Sequence, residues 1–184
     1  MQTDKPSSPP LWRLRLQAFL IDYLVICAYL LLLGLAAYWL ANGPLRLSWP
    51  SMVETPAQRD RLAFMTAVLP VILYFALQEG STSGATLGKR RMRLRVVNLS
   101  GKRLGFGEAL VRSAVKFLPW QIAHTCLFHI PGWPQDPQPA PGWVVAGFTL
   151  VWIIVLVYLI SLFAAPSRRT PYDLAARSQV VVQD

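Results

Sequence analysis

Apolar runs without charge recur four times along the chain, and each ends in charge or turn chemistry. The first covers about residues 16–41. After Asp22 it holds 19 uncharged residues, Tyr23–Ala41, about the length that crosses a bilayer. Tyr38 and Trp39 near its far end are ring types that gather at membrane interfaces, and Asn42, Gly43 and Pro44 close it. The second run, 62–78, lies between Arg61 and Glu79 and carries Pro70, which predicts a kink. The fourth, 143–165, is the cleanest, with 23 uncharged residues from Trp143 to Ala165. The third is short. Phe117–Ile130 has 14 residues and contains Pro119, His124 and His129. Reaching back to Ala109 supplies the length but takes in Arg112 and Lys116. The pattern predicts an all-α membrane protein of one domain: four transmembrane helices at about 16–41, 62–78, 109–130 and 143–165.

Between the second and third runs the period changes. Met92–Val96 alternates apolar and basic residues, the two-residue period of a strand, and Asn98–Gly101 has turn chemistry. This predicts a cytoplasmic β-hairpin within 89–106, with strands near 92–97 and 102–106. A lone hairpin is marginal in water. Gln179–Gln183, in a cytoplasmic tail at 166–184, is a candidate third strand for a three-stranded sheet. Residues 1–10 have no apolar stretch and read as a disordered tail, and the first helix reads as an uncleaved insertion signal.

Charge decides the doubtful third run. The net charge of +9 could point to nucleic acid, but the basic residues gather beside apolar segments and form no separate module. With four crossings and the N-terminus inside, the inner side carries Lys5, Arg13 and Arg15, nine residues from Lys89 to Lys116, and Arg168, Arg169 and Arg177. Arg46, Arg59 and Arg61 are left outside, so 15 of the 18 basic residues are inner. Without the third crossing the tail moves out and the division is 12 to 6. The positive-inside rule favours four spans with both termini cytoplasmic. Lys89, Arg90, Arg91, Arg93 and Arg95 then face the bilayer surface as contacts for anionic lipid headgroups.

Candidate chemistry concentrates at the inner ends of the spans. Arg15 and Asp22 lie on one stripe of the first helix, about 10 Å apart at 1.5 Å per residue. They are too far apart to bond each other. Asp is too short to snorkel, so Asp22 requires a partner or water. Arg15 is either a snorkelling anchor or the partner of Asp173. Glu108, Arg112 and Lys116 recur every four residues, as a solvated stripe or with Arg112, or Lys116 one turn on, turned inward to Asp22. His124, with Trp120, suits an interhelical hydrogen bond or a proton relay. Cys27 and Cys126 have no CxxC spacing and read as small core residues. GATLGK lacks the GxxxxGK[ST] spacing of a phosphate loop. No HExxH, nucleophile elbow or paired carboxylates occur, so the sequence predicts no enzyme, metal or cofactor.

Three pieces converge on one family. RxxAxxID (Arg15, Ala18, Ile21, Asp22), TLGKRRMRLRVVN with its continuation SGKRLGFGEALVR, and the terminal TPYDLAARSQVVV together resemble the RDD family of bacterial inner-membrane proteins. The resemblance runs from about residue 11 to 183. It implies that the arginine and two aspartates of the family name are Arg15, Asp22 and Asp173. Tyr172 stands where the family often has histidine, so no imidazole role is implied there. The resemblance also implies a plasma-membrane protein, and some members have been proposed to exchange sodium or other cations for protons.

Two functions follow. One is a small cation/proton transporter with Asp22 as its membrane carboxylate, taking monovalent cations and protons. Four short spans without an inverted repeat then call for a homo-oligomer, which the pair Gly142 and Ala146 would help to pack. The other is a structural or accessory membrane protein in which Arg15, Asp22, Arg112 and Asp173 form a buried polar clamp. A clamp needs matched charges. A pathway needs a carboxylate left free for an ion.

Overall fold

The computed structural model describes residues 10–43, 53–164 and 169–183. The N-terminal tail up to Pro9, and Arg46 and Arg168 of the charge count, lie outside these residues. The chain is mostly helical, with one small antiparallel sheet. Helix α1 runs Leu11–Asn42 and α2 runs Pro56–Glu79. A short α3, Leu87–Arg91, leads into β1, Leu94–Asn98. Then come α4, Phe106–Phe128, and α5, Gly142–Ala164. A second short helix, α6, Pro171–Ala175, leads into β2, Ser178–Val182. Among the described residues three helices are long and apolar enough to cross a membrane: Leu11–Asn42, Pro56–Glu79 and Gly142–Phe163. At 23 residues α4 is long enough as well, about 35 Å, but its first half carries three charges.

Helix α1 is apolar all round. Only Arg15, Ala18, Asp22 and Ile26 of it are buried, one stripe at three- and four-residue spacing. Its outer half exposes Leu31, Leu32, Leu35, Tyr38 and Trp39, as a lipid-facing helix does. Helix α2 opens on a capping box, with Thr55 and Gln58 exchanging bonds and Pro56 in the first turn. Where the sequence predicts a kink, Phe64–Val68 form a π turn just before Pro70. Proline has no N–H for the carbonyl four residues back. That carbonyl belongs to Thr66, and the Tyr29 hydroxyl of α1 donates to it instead. An apolar core of Ile26, Val68, Val71, Ile72, Phe75 and Phe117 joins α1, α2 and α4.

The sheet differs from expectation. It has two strands, and β1 pairs with β2 rather than with the segment that follows it. Residues 102–106 contribute a single bridge, Arg103 with Val97. The physical reason lies at Asn98. Its side-chain oxygen accepts from the amides of Ser100 and Lys102 and curls the chain, Leu104 is buried, and Gly105 already caps α4. The outer edge of β1 is occupied instead by the Gly84 carbonyl, which accepts from the Val96 amide at 2.7 Å. At its positive φ of 59° Gly84 turns the chain there.

Candidate functional site: a buried ion network at one end of the helices

Two docking events assemble the site. In the first, α3 comes down on α1. Gly88 approaches so closely that an added Cβ would lie 2.1 Å from the Ala18 carbonyl oxygen, so the contact requires glycine at 88. The approach brings Asp22 into the N-terminal turn of α3. Its carboxylate accepts from the Thr86 hydroxyl at 2.6 Å, the Gly88 amide at 2.9 Å and, more weakly, the Tyr74 hydroxyl at 3.4 Å. Asp22 is 1% exposed.

In the second, α6 seats Asp173 against α1 and α4. One carboxylate oxygen takes Nη2 of Arg15 at 2.7 Å, with the Thr170 amide at 3.0 Å and hydroxyl at 2.8 Å. The other takes Nη2 of Arg112 at 2.6 Å and its Nε at 3.1 Å. Arg112 reaches across to Glu79 at the end of α2 through Nη1, and Lys89 donates to the other Glu79 oxygen at 2.8 Å. The Arg112 guanidinium also lies 5.1 Å from the Tyr172 ring centre, so the tyrosine in this position packs a cation. Arg112, Glu79 and Asp173 are essentially inaccessible. Burial alone pushes the Asp173 carboxyl up. The guanidinium groups of Arg112 and Arg15 and the Thr170 amide outweigh that and hold it well below the usual carboxylate range.

This corrects the expected pairing of Asp22. Arg112 meets Glu79 and Asp173, and no Arg or Lys of the described residues lies in ion-pair range of Asp22. Neutral donors on a docked turn satisfy the carboxylate without a cation. Lys116 turns inward but meets rings: Nζ is 3.6 Å from the Phe75 ring centre, 5.3 Å from Phe117 and 5.7 Å from Phe19. Lys89, expected at the bilayer surface with the arginines that follow it, is drawn into the interior by Glu79 and is 8% exposed. Arg90, Arg91, Arg93 and Arg95 are exposed. Glu108 stays at the surface and closes onto the Gly105 amide at 2.9 Å. His124 lies three turns outward from Arg112 and bonds the Trp120 carbonyl of its own helix at 2.9 Å, not another helix. Near that outer end Asp60 of α2 accepts from Gln121 and Thr125 of α4 at 3.0 and 2.9 Å.

Sequence reasoning missed Glu79, Thr86 and the structural demand at Gly88. Glu79 had a signal. Arg15, Arg112 and Lys116 outnumber the two aspartates, and the acid that closes the second apolar run was the one available to balance them. Among the described residues no group of His, Cys, Asp and Glu is placed to hold a metal.

No curated protein and no solved structure matches the chain. The segment that carries Arg15 and Asp22 and the segment that carries Asp173 both fall within a family match that extends over residues 9–177. The chain belongs to the RDD family.

Proposed function

We propose that this is a four-span protein of the bacterial inner membrane, with both termini cytoplasmic, whose RDD residues are a structural clamp. The observation that carries the clamp is that each RDD residue is bonded to a different part of the chain: Arg15 to Asp173, and Asp22 to Thr86 and Gly88. Breaking such a network strands buried charge. The clamp therefore fixes the cytoplasmic elements onto the helices, and the exposed arginines at 90, 91, 93 and 95 then meet anionic lipid or a partner protein. The bacterial location follows from the family resemblance.

The sheet supports the fourth span. Strands β1 and β2 pair, so they share one side of the membrane. The chain between them contains α5, which is apolar enough to cross, and a crossing helix needs a second crossing to return. That second crossing is α4, whose Arg112 is turned into protein. Membrane-impermeant thiol labelling of single cysteines in a background without Cys27 and Cys126 tests this. Gln135→Cys is expected to react from outside and Gln183→Cys only from inside. An outside C-terminus overturns the topology.

A second reading, cation/proton transport, is favoured by one feature. Asp22 has no cationic partner among the described residues. Beside it, the α1–α2 interface holds a cavity of about 220 Å³ lined by Val25, Ile26, Tyr29, Pro70, Val71 and Tyr74. Ion flux in proteoliposomes, with Asp22→Asn alongside, separates the two. The clamp predicts no ion-dependent flux and a loss of about 1–3 kcal/mol in Asp22→Asn, because neutral hydrogen bonds are lost from a buried group. A stable Asp22→Asn protein that abolishes a wild-type flux overturns the clamp.

A further inference from the structure

We propose that the chain consists of two related halves, and that the buried ion pairs are the surface by which one half recognises the other. The first half is α1, α2, α3 and β1. The second is α4, α5, α6 and β2. Each is a pair of long helices followed by a threonine, a five-residue helix, an arginine with positive φ and a five-residue strand. Thr86 and Thr170, Arg93 and Arg177, Val96 and Val180, and Val97 and Val181 all stand at one constant spacing in the sequence. The φ values of the two arginines are 51° and 46°, a conformation uncommon outside glycine, and each opens its strand.

The correspondence extends into the membrane helices. Tyr74 and Tyr158 keep the same spacing. The hydroxyl of each reaches the first helix of its own half, Tyr74 to Asp22 at 3.4 Å and Tyr158 to the Val115 carbonyl at 2.6 Å. The short helices dock alike, α3 on α1 and α6 on α4. In the sheet Val96 lies directly opposite its counterpart Val180. An axis that exchanges the two strands therefore passes between these valines, and repeats so arranged have their axis along the membrane normal.

The halves differ where they meet. Lys89 of the first corresponds to Asp173 of the second. Asp173 takes Arg15 from the other half, and Glu79 of the first half takes Arg112 of the second. A second copy of the first half in place of the second would set a lysine against Arg15, and like charges in a buried site repel. The surface of the first half therefore fits the second half and rejects its own copy. Asp22, by contrast, is bonded among the described residues to Tyr74, Thr86 and Gly88, all of the first half. This goes beyond the clamp reading, which would hold equally for an undivided fold.

The test uses the full chain with a protease site inserted between Ser100 and Gly101, with Cys27 and Cys126 replaced by alanine. After cleavage in detergent the two fragments are expected to co-elute. Asp173→Asn should weaken their association by about tenfold or more, a change of 1.4 kcal/mol or above, and by more than Asp22→Asn does. Fragments that separate without any substitution overturn the proposal. So does an Asp22→Asn chain that separates as readily as Asp173→Asn. Should Asp173→Asn aggregate, a cysteine pair decides. The Val96 amide is bonded to Gly84, so Val96 and Val180 form a non-hydrogen-bonded pair with close side chains. Val96→Cys with Val180→Cys should join the cleaved fragments on oxidation, and Val96→Cys with Val182→Cys should not. Equal or absent linkage rejects the axis.

Discussion

Asparagine in place of Asp173 is expected to destabilise the protein by about 3–5 kcal/mol. Two guanidinium groups point at this carboxylate, and one of them, Arg112, is 1% exposed. The substitution removes the charge and also sets an amide N–H₂ toward an arginine guanidinium, Arg112 on one side or Arg15 on the other, which only donates. Burial that was compensated becomes burial that is not. Thermal unfolding in one detergent, wild type against variant, measures the loss. Adding Arg15→Gln to Asp173→Asn should recover part of it, because two groups in one network couple by about 0.5–3 kcal/mol. A melting temperature within a degree of wild type would mean that the carboxylate faces water.

Gly88→Ala is expected to cost about 3 kcal/mol, from overpacking and from lost hydrogen bonds to a buried carboxylate. The new methyl would meet backbone, the Ala18 carbonyl oxygen at 2.1 Å, and the Asp22 carboxyl carbon at 3.0 Å. Backbone cannot rotate aside as a long side chain can, so α3 must lift from α1. That movement also breaks the bonds from Thr86 and Gly88 to Asp22. Gly107→Ala is the control, because no atom lies within 4 Å of its added Cβ, and it should stay within about 0.5 kcal/mol of wild type. Equal melting of the two variants would show that α3 does not rest on α1.

The sequence made the long elements readable, and the partners less so. Three of the long helices announce themselves as spans because a lipid-facing helix must be apolar on every side. Helix α4 does not, because it carries Arg112 and Lys116, which a hydropathy scale counts as cost although they face protein. Arg15 was readable as a charge near hydrocarbon, and Asp173 only through the family resemblance. Asp22 was readable as a carboxylate in need of partners, but not which ones. A cation and a set of neutral hydroxyl and amide donors satisfy it equally, and only the docking of Gly88 on Ala18 selects the second. The strand order was hidden for a similar reason. Turn chemistry at Asn98–Gly101 suggests a hairpin, whereas the pairing of β1 with β2 depends on two helices bringing the tail back.

The bond between Tyr29 and the Thr66 carbonyl fixes an order in which this pair of positions can evolve. Pro70 leaves that carbonyl without a helical partner, and the tyrosine hydroxyl supplies one. A lineage that first exchanges Pro70 for a residue with an amide hydrogen gives the carbonyl a second donor, and Tyr29 is then free to become phenylalanine. A lineage that first loses the hydroxyl leaves a bare carbonyl against hydrocarbon, at a cost of several kcal/mol. Ancestral and descendant sequences should therefore pass through tyrosine without proline, and not through proline without tyrosine.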